Sequence, residues 1–257
     1  MEYTYSAYRK LMKNLKDNDY NPIRFCDVSD DIEYPAIIRH DVDMDLQNAM
    51  KIAKLENEEG IKSTYFVLLT SEYYNLMAGA NVKLAKEILA MGHEIGLHFD
   101  ITAYDKDMSI NEIEGALKKE ISLLETILDI EVKSVSWHIP RTDLLGVHLE
   151  FLEEMNIWNA YDPIFYSGYK YVSDSMMRWR EPIEEYIENR KFEKLQILTH
   201  PIWYRNEQNM TDEEILDENR NNKLIVIGEY LDTIKPGYFS GVSFLGEKIS
   251  EVKEEVR

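Results

Sequence analysis

The chain has 257 residues, enough for one large domain or two small ones, and its 44% hydrophobic share is ordinary for a protein with a sizeable core. A formal charge of −19 excludes nucleic acid as a partner, because phosphate binding needs stripes of Lys and Arg that the sequence does not contain. Cys26 is the only cysteine, no apolar secretion segment opens the chain and no apolar run approaches membrane-spanning length, so a cytoplasmic protein without a membrane partner is expected.

Residues 1–35 read as a helical extension. The apolar run Ala36–Ile38 follows and leads straight into Arg39, His40, Asp41, Asp43 and Asp45. Close carboxylates repel unless something positive lies between them. On extended chain, residues two apart point to one side, so Asp41 and Asp43 converge and the stretch reads as half of a metal site. A helix over 45–59 ends at Gly60, and a strand follows over 63–69. A second helix, 81–91, ends at Gly92 and precedes a strand over 93–99 that carries His93 and His98, with Asp100 behind them. The helix over 109–128 opens with Ser109 and Glu112 at capping-box spacing. The next strand, 134–138, ends in Trp137 and His138 and runs on to Pro140 and Arg141.

A helix is expected over 142–156, with His148 inside it, and a short strand over 157–161. The strand over 169–174 ends at Asp174, followed by Ser175 and Trp179. A helix over 181–190 has Pro182 suited to a first helical position. The last strand, 195–200, ends at His200 with Trp203 and Tyr204 behind it, and Thr211 and Glu214 open a final helix over 211–222.

Strands alternating with helices predict a parallel sheet with helices outside it. His40, His98, His138 and His200 each stand at the end of a different strand, which favours an α/β barrel, where functional groups collect at the C-terminal strand ends. Mixed Asp and His ligation suits Zn²⁺, Fe²⁺, Co²⁺, Ni²⁺ or Mn²⁺ more than Mg²⁺ or Ca²⁺. Three protein ligands with one open position make a catalytic site. His93 reads as structural.

The order of these motifs resembles the NodB-homology polysaccharide deacetylases. That family reads T-F-D-D, then G-H-E-I-G-N-H-T-x-x-H, R-P-P, a D/W motif and L-x-H. Here the same order reads "RHDVD", "GHEIGLHFD", "WHIP", "DSMMRW" and "ILTH", over about residues 36–203. More narrowly, the chain resembles a divergent branch associated with surface-polysaccharide gene clusters. The resemblance implies a single domain over 1–257 with a distorted parallel (β/α) barrel of about seven strands. It also implies a hydrolase that uses a divalent metal, Zn²⁺ first among those named, to remove an acetyl group from an N- or O-acetylated sugar or glycan precursor. By family order Asp41 is the base, Asp43 and His98 are metal ligands, His200 is the acid and Asp174 orients a neighbour; the roles of Asp41 and Asp43 can be exchanged. Thr102 stands where the family keeps its second histidine ligand, and His138 stands where motif three has arginine. Either His138 or Asp100 then completes the site, and imidazole suits the implied metals better. Trp137, Arg141, Trp179 and Trp203 are candidates for lining the substrate. Two alternatives stay open: hydrolysis of a small non-sugar amide or cyclic imide, and a non-catalytic carbohydrate-binding relic. Oligomeric state is not legible.

Overall fold

Helix α1, Tyr5–Asp17, starts where Thr4 accepts a hydrogen bond from the Ala7 amide (3.0 Å), and it buries Tyr8, Leu11, Met12 and Leu15 along one stripe. The computed structural model describes residues 1–105, 107–207 and 210–238, and the chain divides into two units, Met1–Gln208 and Asn209–Arg257. In the first unit the strands are β1 (Asn21–Ile23), β2 (Pro35–Val42), β3 (Thr64–Val67), β4 (Glu94–Asp100), β5 (Ser134–His138), β6 (Trp158–Asn159), β7 (Lys170–Ser173) and β8 (Leu195–Thr199). They run in the order β6-β5-β4-β3-β2-β8-β7, all parallel, with β1 alongside the first residues of β2. Helices α2 (Leu46–Glu58), α3 (Gly79–Ala90), α4 (Ile110–Leu128), α5 (Glu150–Glu154), α6 (Pro163–Tyr166) and α7 (Ile183–Glu188) connect them. Every residue of β2 is buried, as a central parallel strand covered on both faces requires.

The sheet is curled into a distorted barrel. On a flat sheet β5 would lie about 14 Å from β2, three strand spacings away and beyond the joint reach of an arginine and a serine. Yet Nη2 of Arg39 on β2 donates to Ser136 Oγ on β5, and Nη1 donates to Gln196 Oε1 on β8 (3.2 Å). The guanidinium lies between the rings of Phe66 and Tyr161, 5.1 and 5.2 Å from their centres. Among the described residues β6 and β7 do not pair. The Gln196 amide, bonded to the Ala160 carbonyl at 3.3 Å, reaches across the interval between β8 and the chain leaving β6.

Two expectations need correction. Strand β1 lies in the stretch read as a helical extension; three residues with a proline among them are too short to display alternation. The helix expected over 142–156 is broken into a 3₁₀ turn, Thr142–Leu144, and the short α5. Gly146 breaks it: it adopts φ +66°, and a Cβ there would meet the Tyr166 ring at 2.8 Å. His148 therefore lies on an exposed loop between Asp162 and Glu153.

In the second unit α8, Asp212–Tyr238, opens with the expected box. The Thr211 amide donates to Glu214 Oε2 (2.7 Å), and the Glu214 amide donates to Thr211 Oγ1 (3.2 Å). No helix among the described residues is long and apolar enough to cross a membrane.

Candidate metal centre

Alternation along β2 sorts its polar residues onto two faces. Arg39 and Asp41 point into the barrel, and His40 points out toward the helices. Asp41 is 5% exposed and accepts from Arg39 at both oxygens, with Nη2 at 2.8 and 2.7 Å. Burial pushes the Asp41 carboxyl up, but Arg39, His98 and His200 together outweigh it and hold the group below the usual carboxylate range. Asp43 lies in the turn between β2 and α2. Ser71 Oγ donates to the Asp43 carbonyl (3.2 Å), Tyr74 OH donates to the Val42 carbonyl (2.8 Å), and Asp45 caps α2 through the amides of Gln47 and Asn48.

His98 on β4 and His138 at the end of β5 turn toward this carboxylate. His98 Nε2 lies 3.3 Å from Asp43 Oδ1, His138 Nδ1 lies 3.3 Å from the same oxygen, and the two nitrogens are 3.3 Å apart. For ligand bonds of ~2.0–2.1 Å, tetrahedral geometry sets donor atoms ~3.3–3.4 Å from each other. This triangle therefore fits a divalent ion. Asp43 Oδ1 is buried without a hydrogen-bond partner, and His98 Nδ1 has none either, leaving the His98 tautomer free to put a lone pair on Nε2. Burial opposes ionisation of Asp43, yet His138 and His98 hold its carboxyl well below the usual range. His138 is lowered by burial and raised more strongly by Asp43, Asp100 and Asp41, with a net rise. Asp100 itself turns away to accept from Thr102 N (2.8 Å) and Thr102 Oγ1 (2.7 Å), so His138, not Asp100, completes the cluster.

His200 Nε2 lies 3.9 Å from the second oxygen of Asp43, Oδ2. Its Nδ1 is 2.6 Å from Asp174 Oδ1, and its own amide also donates to Asp174, at 3.0 and 3.1 Å. Tyr204 OH donates to Asp174 Oδ2 at 3.1 Å. Burial lowers the His200 imidazole, but Asp174, Asp43 and Asp41 raise it further, to about 9.

Asp41, Asp43, His98, His138, Asp174 and His200 are thus brought together, and His40 is not. Its side chain falls on the outer face of β2, where it is fully buried against α2. Of the four side chains expected to line the substrate, two tryptophans are buried. Trp137, one residue off the inward-facing Ser136, is 2% exposed and packs edge-on against Phe99. Trp203 is 7% exposed, on the 3₁₀ turn behind His200, so neither ring offers an open face. Trp179 is half-buried, and its amide donates to Tyr3 OH (2.8 Å). The Arg141 guanidinium holds Asp143 (3.0 and 2.9 Å) and the Met108 carbonyl (2.8 Å). Arg39 had no role assigned from the sequence. The signal for it was its position two residues before Asp41 on a buried strand.

No protein-family model matches the chain, and no curated protein matches it. Solved structures do. The peptidoglycan deacetylase PdaC from Bacillus subtilis is 18% identical, over 72% of this chain and 83% of that one, with a TM-score of 0.46. The chitin deacetylase from the fungal pathogen Colletotrichum lindemuthianum is 13% identical, over 79% and 86%, with a TM-score of 0.46. A CE4-family pseudoenzyme from Bacillus anthracis is 15% identical, over 80% of this chain and 66% of its own, with a TM-score of 0.43. The chain is similar in structure to CE4-family polysaccharide deacetylases. With TM-scores below 0.5, these likenesses carry no chemistry of their own, and the reading of the site rests on the chain's own side chains.

Proposed function

We propose that the chain is a metal-dependent hydrolase removing an acetyl group from an N- or O-acetylated sugar or glycan precursor, as a divergent member of the NodB-homology deacetylases. One observation carries this reading: three donor atoms at metal-ligand spacing, with the Asp41 carboxylate 3.6 Å from His98 and the His200 imidazole 3.9 Å from Asp43 beside them. The motif order in the sequence supports it.

Asp43, His98 and His138 would hold the divalent ion, Zn²⁺ being the best match to two imidazoles and a carboxylate. Such an ion, when bound, polarises an acyl oxygen and acidifies a water. Asp41 is the general base. Arg39 keeps it ionised and fixed, taking two bonds at Oδ1 and one at Oδ2, so Oδ2 retains a lone pair, and it lies 3.6 Å from His98 Nε2 at the edge of the cluster. His200 is the general acid, releasing the proton on Nε2 to the departing amine or alkoxide. Asp174 does not meet substrate; it fixes the His200 ring through Nδ1 and favours its charged form. Arg141 and Trp179 remain candidates for contact with the sugar.

The test is metal content of protein purified without chelator, with acetate release from N- and O-acetylated sugars and glycan fragments, beside small amides and cyclic imides. One equivalent of divalent ion and acetate release abolished by chelation are expected. Hydrolysis of cyclic imides alone would move the assignment to another C–N hydrolase. Protein with neither metal nor turnover would be a binding relic of the fold.

A further inference from the structure

Behind the site, on the helix-facing side of β2 and β8, lies a second polar cluster with no exposure to solvent. His40 and Glu56 are both 0% exposed. Glu56, near the end of α2, accepts from Tyr8 OH (2.6 Å) and His40 (3.0 Å) at one oxygen, and from Ser63 Oγ (2.5 Å) and Tyr65 OH (2.6 Å) at the other. The other nitrogen of His40, Nδ1, is 2.7 Å from Thr199 Oγ1, and the ring stacks on Tyr65 at 4.4 Å. Thr199 Oγ1 and Glu56 Oε1 thus hold the His40 ring at its two nitrogens.

The placement of this cluster matters more than its size. His40 and Thr199 face each other in the β2–β8 register; the residue after His40 is Asp41, and the residue after Thr199, just past the end of β8, is His200. His40 and Glu56 lie on the two elements that flank the turn carrying Asp43. Apolar residues of similar volume would hold such elements together at least as firmly, whereas a fully bonded polar network fixes one register over its alternatives.

We infer that His40 is a positioning residue, which ties β2 to β8 and to α2 and so sets the geometry of Asp43 for the metal and of His200 for proton delivery. This rests on the function proposed above. Thr199→Val cuts the β8 arm at nearly constant volume, and Thr199→Ser restores the hydroxyl. His40→Phe keeps the stack on Tyr65 and loses both hydrogen bonds. Each full-length variant is measured for Zn²⁺ affinity by competition with a chromophoric chelator, for turnover of the acetylated substrate that the parent uses, and for thermal midpoint.

His40→Phe is expected to bind Zn²⁺ about 10-fold or more weakly, the range seen when groups supporting metal ligands are lost. Thr199→Val should lower kcat about 10-fold with KM nearly unchanged, as misplacement of a reacting group does, and Thr199→Ser should recover it. If His40→Phe does not fold, the Thr199 pair decides. Variants with lower thermal midpoints but parental Zn²⁺ affinity and kcat would overturn the inference and leave the proposed function standing. A parent protein that neither binds Zn²⁺ nor releases acetate would overturn both.

Discussion

Replacing Arg39 with Met would leave the Asp41 carboxylate inside the barrel with its counter-charge removed. The guanidinium makes five hydrogen bonds, three to Asp41 and one each to Ser136 and Gln196. At ~1.5–3 kcal/mol for each bond to a charged group, the sum over five sets an upper bound of ~15 kcal/mol. Two responses reduce the loss: the methionine stem refills the space between Phe66 and Tyr161, and Asp41 takes up a proton. Removing one partner of a buried ion pair costs about 3–5 kcal/mol, and that is the expected destabilisation of Arg39→Met at neutral pH. The assay is urea unfolding followed by circular dichroism with chelator present, so that metal binding does not enter. The double variant Arg39→Met/Asp41→Leu, which removes both charges, should recover most of the loss. In Arg39→Met the folded-state pKa of Asp41 rises above its unfolded value, so the deficit should shrink as pH is lowered toward the unfolded pKa. A single variant within about 1 kcal/mol of the parent, or a double variant no more stable than the single, would refute this account of the barrel interior.

Asp41→Asn should retain metal and lose about 10²-fold or more in turnover, as removal of a general base does; metal loss in that variant would exchange the roles of Asp41 and Asp43. His98→Ala should lose tightly bound metal, measured by elemental analysis after dialysis, and a full equivalent retained would exclude His98 as a ligand. Glu56 is driven up by burial but held at about 2 by His40, His93 and Ser63. Its contribution, on the order of 3 kcal/mol, should be present above the unfolded pKa near 4.5 and disappear as pH falls toward 2, with Glu56→Gln flattening the acid limb of the stability profile. Burial and Asp100 lift Glu120 to about 7 against a hydrogen bond from Tyr104, so parental stability should decline as pH rises from 4.5 through 7. Glu120→Gln should gain in thermal midpoint at pH 8 over pH 5, and equal shifts at both would contradict the buried-acid assignment.

Much of this site was legible because it is written at strand ends. A buried run followed by Asp41 and Asp43, and histidines closing three further strands, were enough to gather the cluster before any coordinates. The residue spacing also assigns a face to each side chain of a strand. Period-two alternation puts Arg39 with Asp41 and puts His40 opposite them, and it puts Trp137 opposite Ser136. Imidazole chemistry already favoured His138 over Asp100, and the turn adds a second reason, because Asp100 is drawn off by Thr102, a local bond that no periodicity reports. The second glycine in "GHEIG" has a physical reason visible only in three dimensions: a Cβ on Gly96 would meet the Phe66 ring at 2.6 Å and Ser134 Oγ at 2.7 Å.

The unzipped interval between β6 and β7 gives the barrel a seam. Both bordering strands are short, two residues in β6 and four in β7, so little backbone is offered for pairing with another chain. No ladder closes the seam among the described residues; the chain leaving β6 is instead held by a hydrogen bond from the Gln196 side chain on β8 to the Ala160 carbonyl. Amide hydrogens of β6 and β7 should therefore exchange with deuterium well before those of β2, which is paired on both sides and buried throughout.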